Sequence, residues 1–534
     1  MHAYTLYDAP RRFPWMKLVL AIAAGVLQAW SLAWPWRLDG WDALYGQPLW
    51  WLQIASLLVL PALLLRVQRP WHGAVLTWGF ATAWLCATFW WLYISMHTFG
   101  GLPAPLAVLA ILALAGFLAC YYATAGYVWV AFRPQGWLGQ SLLFAALWLL
   151  AELARGELFT GFPWGAGGYA HTDGPLAPFA HWLGVYGIGF VAAVVATAVA
   201  AWRMALLRKP GTYAAVAVLL VAGALAHVSW QCTTGGCSTA AARQPVSVAL
   251  LQGNISQGEK FQASTGIPQA LDWYADQLQT ASASMVIAPE TAIPVLLRQT
   301  PPGYWESIQQ RFASGQQAAL IGVPLGNFTD GYTNSMLGLV PGQEGAYRYD
   351  KHHLVPFGEF IPPLFRWFTE LMNIPLGDFN RGHVGQVSLS WAGERWAPNI
   401  CYEDLFGEEL AARFIDPATA PTIFVNASNI AWFGDSIAID QHLQISRMRT
   451  LELARPMIRA TNTGATAIID QRGVVQQQLP HQSRAVLQAQ VVGADGDATP
   501  FAWWAGRFGL WPLWLLGALV AGALVVLGRK QRQR

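Results

Sequence analysis

Charge is what this sequence has least of. Only 11% of its 534 residues are Asp, Glu, Lys or Arg, less than half the roughly 25% usual for soluble chains. With 54% of residues hydrophobic, that scarcity excludes an ordinary water-soluble protein and predicts one embedded in a membrane. The formal net charge of +3 is small and its positive residues are scattered, which excludes a nucleic-acid-binding surface. Cysteine is scarce too. Five cysteines in a chain of this length do not make a disulfide scaffold. Cys86 and Cys120 lie in apolar runs and read as packing residues. Cys232 and Cys237 flank Thr-Thr-Gly-Gly after an apolar run, where a small disulfide and two free thiols are equally open. Cys401 stands alone. His352-His353 has no further His, Cys or acidic residue at ligand spacing, so no metal is expected. Internal repeats and low-complexity segments are lacking as well.

What is present is long apolar runs. Spanning a bilayer core takes about 20 mostly apolar residues. Seven candidates precede residue 231, at 16–34, 49–65, 73–95, 103–131, 138–153, 179–202 and 212–230, and an eighth follows at 508–527. Basic residues set the orientation. With the N-terminus in the cytoplasm, the inside segments hold thirteen basic residues and the short outside loops two, Arg37 and Arg155. Both termini are therefore expected inside, and the block after the seventh run outside. The first run has basic residues before it, as a signal peptide does, but its Trp-rich exit predicts retention as an anchor. Glu152 and Arg155 read either as functional intramembrane charges or as an i,i+3 pair at the water boundary.

Residues 231–507 differ in kind. They carry 17 of the 32 basic residues and short apolar runs separated by turn signals. Runs at 246–251, 285–288, 318–322, 336–340, 422–425 and 465–469 read as strands. Stretches at 267–278 and 303–312, and the charged, amphipathic 440–454, read as helices. Such alternation predicts an α/β sandwich. The expected organisation is a membrane domain over 1–230, an extracytoplasmic catalytic domain over 231–507, and a last span with a basic tail over 508–534. The Thr-, Ser- and Gly-rich stretch 230–244 is the tether.

Cys401 lies between an apolar run (396–400) and an acidic turn. A strand ending in a bend exposes the sulfur and frees the next backbone N–H. A thiolate, not a thiol, is the nucleophile. Glu290, ending the run Val286-Ile287-Ala288-Pro289-Glu290, suits a general base, and Lys351 suits stabilisation of developing negative charge. The N–H of Tyr402 is the natural oxyanion donor. Each residue alone has a plainer reading: a structural cysteine, a solvated turn, a surface basic cluster. The triple is what argues for catalysis.

Three blocks carry a resemblance. Ala288-Pro289-Glu290, Asp350-Lys351-His352-His353-Leu354-Val355-Pro356-Phe357-Gly358-Glu359 and Asn399-Ile400-Cys401-Tyr402-Glu403 resemble the catalytic blocks of the nitrilase superfamily. With the apolar runs around them, and with Thr160-Gly161-Phe162-Pro163-Trp164, Leu251-Gln252-Gly253-Asn254-Ile255, Ala431-Trp432-Phe433-Gly434-Asp435 and Arg459-Ala460-Thr461-Asn462-Thr463-Gly464, the chain resembles the apolipoprotein N-acyltransferase family. The resemblance implies a multi-span α-helical membrane domain plus a nitrilase-like αββα sandwich. It implies acyl transfer from a phospholipid, typically phosphatidylethanolamine, through a cysteine thioester to the N-terminal amine of an S-diacylglyceryl-cysteine apolipoprotein. No cofactor is implied. By motif position Glu290 is the base, Lys351 the oxyanion-side stabiliser and Cys401 the nucleophile, with Glu359, Tyr402 and Glu403 supporting. Phe261 and Trp432 are the expected substrate contacts, although Phe261 stands where relatives carry Trp, and Ile430 where they often carry Asp.

The run 360–376 is too broken by proline to span and too apolar for a solvated loop. It reads as a lid dipping into the membrane interface or as a loop packed on the domain. Residues 160–164 read as the floor of an entrance or as part of an aromatic belt. Two rival functions stay open: a membrane-tethered amidase, in which water resolves the thioester, and a transporter or lipid-binding protein carrying an inactive enzyme-like domain.

Overall fold

The computed structural model describes residues 13–37, 39–40, 42–201, 210–231, 243–327, 329–343, 345–361 and 379–533. The Cys232–Cys237 pair and nearly all of the 360–376 run lie outside them.

Seven helices come first: α1 (Trp15–Trp30), α2 (Trp50–Leu64), α3 (Pro70–Thr88), α4 (Ala104–Phe132), α5 (Trp137–Glu157), α6 (Ala180–Ala200) and α7 (Pro210–Gln231). A single π-helical turn, Ile94–Phe99, follows α3. Helix is the form expected of these runs, since it satisfies its own backbone where no water can. Small residues let the helices close up. At the α3–α4 crossing, a methyl on Gly126 would lie 2.7 Å from the Gly73 carbonyl oxygen and collide with the Thr77 hydroxyl.

The next segment builds two six-stranded sheets. The first holds β1 (Val246–Gln252), β2 (Met285–Ile287), β3 (Ala318–Asn327), β4 (Gly331–Leu339) and β5 (Tyr347–Asp350), covered outside by α8 (Gly266–Thr280) and α9 (Tyr304–Ser314). The second holds β6 (Leu389–Trp391), β7 (Glu394–Ile400), β8 (Ile423–Ser428), β9 (Met457–Thr461), β10 (Ala467–Ile469) and β11 (Val475–Gln478). Strand β12 (Ala485–Val491) returns to pair antiparallel with β1 in the first sheet. Three adjacent strands run parallel in each sheet, β1-β2-β3 and β7-β8-β9. Such strands are buried on both faces, hence their unbroken apolar runs. The sheets share a core of Leu250, Ile287 and Leu320 against Trp396, Val425 and Ile458. Helices α10 (Gly407–Ala411), α11 (Ala438–Leu453) and α12 (Pro500–Phe508) cover the second sheet, and α13 (Trp511–Gln533) closes the chain. The result is an αββα sandwich beside a helical bundle. All eight apolar runs are helical. Among the described residues, four segments are long and apolar enough to cross a membrane, namely Ala104–Phe132, Trp137–Thr160, Ala177–Ala200 and Trp511–Gln533.

Helix α11 departs from the amphipathic reading. All sixteen of its residues are buried, charged ones included. It lies between the second sheet and the bundle, and its polar face meets donors and acceptors that the bundle helices and their connecting segments supply. Gln441 Oε1 accepts from the indoles of Trp91 (3.1 Å) and Trp164 (2.9 Å), while its amide donates to the Thr88 carbonyl (3.1 Å). Gln444 donates to Gly46 O (3.0 Å), Arg447 pairs with Asp173 (2.9 Å), and Glu452 accepts from the Val185 N–H (2.7 Å). Sequence periodicity marks the polar face but not what it meets.

The helix crossing gives a direct test. Gly126→Ala lowers the thermal midpoint in detergent by several degrees, because overpacking costs about 1–3 kcal/mol. Gly522→Ala in α13, where a methyl meets nothing within 4 Å, leaves it unchanged. Equal midpoints by tryptophan fluorescence refute the close approach.

Candidate active site

Topology brings the three expected residues together. Strand β5 is antiparallel to β4 and β4 to β3, so β5 runs with β2 and both end at one rim of the first sheet. Glu290 follows β2, Lys351 follows β5, and Cys401 follows β7 in the facing sheet. All three line one cavity.

Lys351 is 1% exposed. Its ammonium lies 2.8 Å from Glu359 Oε2 and 3.3 Å from Glu290 Oε1. Burial works against this charge, yet Glu359 and then Glu290 hold it above the ordinary lysine range. Asn334 donates to both carboxylates, at 2.7 Å to Glu290 and 2.8 Å to Glu359. The Asn429 N–H donates to Glu290 Oε2 (2.8 Å), and the Val355 N–H to Glu359 Oε2 (2.9 Å).

Cys401 opens a 3₁₀ turn, Cys401–Leu405, with φ of +51°. That left-handed conformation is uncommon outside glycine and marks a backbone held by its surroundings. Its carbonyl accepts from Asn426 Nδ2 (3.3 Å) and His442 Nε2 (3.2 Å). Burial pushes the thiol up to about 12; the Glu290 charge adds to this and Lys351 opposes it. The sulfur therefore rests as a thiol near neutral pH, and attack requires proton removal in the same step. Tyr402 contributes more than its N–H: its hydroxyl donates to Gly161 O (3.4 Å) and its ring stacks on Phe162.

Glu403 is wholly buried and ties the blocks together. It accepts from the N–H groups of Ile400 (2.6 Å) and His352 (2.7 Å) and from Tyr349 OH (2.8 Å), and it pairs with His352 Nδ1 (2.7 Å). The two histidines are engaged with carboxylates, His352 with Glu403 and Glu409, and His353 with Glu409.

The cavity has a volume of about 1190 Å³. The bundle gives it Met96, Leu114 and Phe117; the turn after α5 gives Thr160, Gly161, Phe162 and Trp164; the sandwich gives Phe261 and Trp432. Arg155 neither faces the cavity nor pairs at i,i+3. It is fully buried and donates to the carbonyls of Phe162 (2.6 Å) and Trp164 (2.8 Å) and to Tyr122 OH (3.0 Å), which fixes that turn.

Four further residues belong to the site that no sequence motif flagged for it: Asn334, Asn429, His442 and Lys260. The Lys260 ammonium donates to Glu290 O (3.2 Å) and Thr291 Oγ1 (2.7 Å). Burial brings it down to about 7, against the pull of Glu290 and Cys401. Its place one residue before Phe261, an expected substrate contact, was the available signal.

Glu403 yields a pH test. Despite burial, His352 and the N–H donors bring Glu403 from 4.5 down to about 2. Despite burial, Glu403 and Glu409 lift His352 from 6.5 to about 10. The lowered carboxylate adds stability above its ordinary pKa, lost as pH falls toward 2; the raised imidazolium adds it below its ordinary pKa, lost as pH climbs toward 10. Their joint contribution is full between pH 4.5 and 6.5. The thermal-midpoint deficit of Glu403→Gln is therefore largest in that window and shrinks toward pH 10; a deficit flat in pH refutes the ion pair.

Comparison with known proteins agrees with this geometry. The family description "Apolipoprotein N-acyltransferase N-terminal domain" matches residues 41–198, and "Carbon-nitrogen hydrolase" matches residues 247–501. An apolipoprotein N-acyltransferase of Verminephrobacter eiseniae is 58% identical over 93% of this chain and 93% of its own. One from Ralstonia nicotianae is 45% identical over 91% and 90%, and one from Bordetella bronchiseptica 39% identical over 97% and 98%. This chain belongs to the apolipoprotein N-acyltransferase family, membrane proteins whose catalytic domain has the nitrilase-like, carbon-nitrogen hydrolase fold.

Proposed function

We propose that this enzyme moves an acyl chain from a phospholipid, phosphatidylethanolamine by preference of the family, onto Cys401, and from there to the N-terminal amine of a diacylglyceryl apolipoprotein. The observation that carries the reading is that the Glu290–Lys351–Cys401 cluster lines a cavity walled by membrane helices. A small, water-soluble amide has no need of such walls, so a tethered amidase is disfavoured. A transporter with an inactive domain is disfavoured by the complete cluster.

The shared cavity of Glu290, Lys351 and Cys401 supports the following chemistry. Glu290 takes the Sγ proton as sulfur attacks the ester carbonyl. Negative charge then gathers on the carbonyl oxygen, where the Lys351 ammonium and the Tyr402 N–H stabilise it. Glu290 returns the proton to the departing lysophospholipid oxygen, leaving a thioester on Cys401. In the second half the amine attacks the thioester, and Glu290 carries its proton to sulfur. Glu359 and Asn334 position the Lys351–Glu290 pair; Glu403 and Tyr402 shape the elbow and the cavity wall; Phe261 and Trp432 contact the lipid or the lipopeptide.

We infer the domain boundaries at 230 and 507 from the change between long apolar runs and mixed sequence, and the orientation, with both termini cytoplasmic and the catalytic domain outside, from the thirteen-to-two bias of basic residues. A C-terminal green fluorescent protein fusion is expected to fluoresce and a C-terminal alkaline phosphatase fusion to be inactive; the opposite pair of results overturns the orientation.

Intact-mass measurement after exposure to phosphatidylethanolamine tests the mechanism. Wild type gains one acyl-sized adduct on Cys401, which a diacylglyceryl peptide discharges as N-acyl peptide. Cys401→Ala gains none, and Glu290→Gln gains it roughly 10²–10⁴ times more slowly. Discharge to free fatty acid alone supports hydrolysis instead, and an unmodified wild-type cysteine under turnover conditions sinks the thioester route.

A further inference from the structure

His442 is the one histidine lining the cavity among the described residues, and the mechanism above leaves it unused. It is 0% exposed, on a helix whose other side is seated on the membrane bundle. Its tautomer is fixed by its neighbours. Arg459 Nη2 lies 3.1 Å from Nδ1, and a guanidinium can only donate, so Nδ1 accepts and the single ring proton sits on Nε2. That proton points at the Cys401 carbonyl, 3.2 Å away. Burial, followed by the Arg459 and Lys351 charges, holds the ring far below the ordinary histidine range, and it is neutral. Arg459 is itself fixed, by Asp404 (3.3 Å), the His442 carbonyl (3.2 Å) and the Ser446 hydroxyl.

The Cys401 carbonyl belongs to the same peptide plane as the Tyr402 N–H, and in a trans peptide the two point in opposite directions. Pinning the oxygen therefore aims the N–H. The N–H lies in the first turn of a 3₁₀ helix, where it has no partner within the helix and is free for an oxyanion. The left-handed φ of +51° at Cys401 calls for support from its surroundings.

We infer that His442 is a positioning residue for acyl transfer: its Nε2–H, with Asn426 Nδ2, holds the Cys401–Tyr402 peptide so that the Tyr402 N–H faces the developing oxyanion. The same ring stacks on Trp164, with centroids 5.5 Å apart. The preceding residue, Gln441, accepts from the indoles of Trp164 and Trp91, both of which line the cavity. One turn of α11 thus joins the wall of the lipid cavity to the backbone of the nucleophile.

This inference rests on the acyl-enzyme reading, and single-turnover acylation of the full-length protein in phosphatidylethanolamine mixed micelles separates the two. His442→Phe keeps a ring against Trp164 and loses the donor; the maximal rate of adduct formation falls roughly 10- to 100-fold, with half-saturating lipid within about threefold of wild type. His442→Asn, whose amide reaches the Nδ1 position but not the Nε2 position, falls with it. His442→Gln places an amide N–H where Nε2 was and recovers to within about fivefold of wild type. The Asn–Gln contrast decides the matter even if the phenylalanine variant does not fold. A Phe or Asn variant acylated at the wild-type rate, or a Gln variant no faster than Asn, overturns the inference alone. A wild type that forms no adduct overturns both it and the proposed function.

Discussion

An ammonium ion almost wholly removed from water is the constraint on which the catalytic end of this molecule depends. Lys351 is tolerated there because Glu290 and Glu359 both reach it, and the two carboxylates are tolerated because Asn334, Asn429 and Val355 supply neutral donors. Breaking such a buried set by removing one member costs about 3–5 kcal/mol, since a charge is left without a partner. The cluster holds one positive charge against two negative ones. Burial raises the Cys401 thiol, with Glu290 adding to the rise and Lys351 opposing it, which separates this site from those that keep a resting thiolate. A thiol that loses its proton only as it attacks suits a cavity lined mostly by apolar side chains, where a standing thiolate would be costly.

The same economy of charge governs the joint between sandwich and bundle. Helix α11 carries Asp440, Arg447, Arg449 and Glu452 with no residue in water. Against a purely apolar bundle these side chains would be insupportable. The bundle instead presents indole N–H groups, carbonyls at Thr88 and Gly46, the N–H of Val185 and the Asp173 carboxylate. Directional contacts of this kind fix the register between the two parts in a way that apolar packing alone does not. The cavity needs such a register, because one wall is membrane helix and the other carries the chemistry.

How far the sequence discloses this is uneven, for physical reasons. The eight apolar helices and strands β1 to β4, β7, β8 and β10 were legible because hydrophobicity there is continuous and local. Glu290 and Cys401 were legible because each ends an apolar run, and Lys351 because it stands in a distinctive block. Strands β5, β6, β9, β11 and β12 were not: Tyr347–Asp350 and Val475–Gln478 are short and polar, and pairing alone makes them strands. Arg155 looked like half of an i,i+3 pair, whereas its partners are carbonyls seven and nine residues on. Asn334, Asn429 and His442 are single residues whose importance comes entirely from where distant strands and α11 deliver them. No local pattern encodes that.

Shared contacts keep the cavity wall and the nucleophile in step. Residues 160–164 form part of the cavity wall, yet their backbone is fixed from below by Arg155 and faced from above by Tyr402, the residue next to the nucleophile. Trp164 continues this wall and is held by Gln441 on α11. The wall against which an acyl chain would lie is therefore tied on both sides to the Cys401 elbow, through Tyr402 on one and through Gln441 and His442 on the other. A soluble amidase can close its pocket with its own loops. Here the bundle completes it, and the burial of Arg155 and of the whole of α11 follows from the need to make that shared wall rigid.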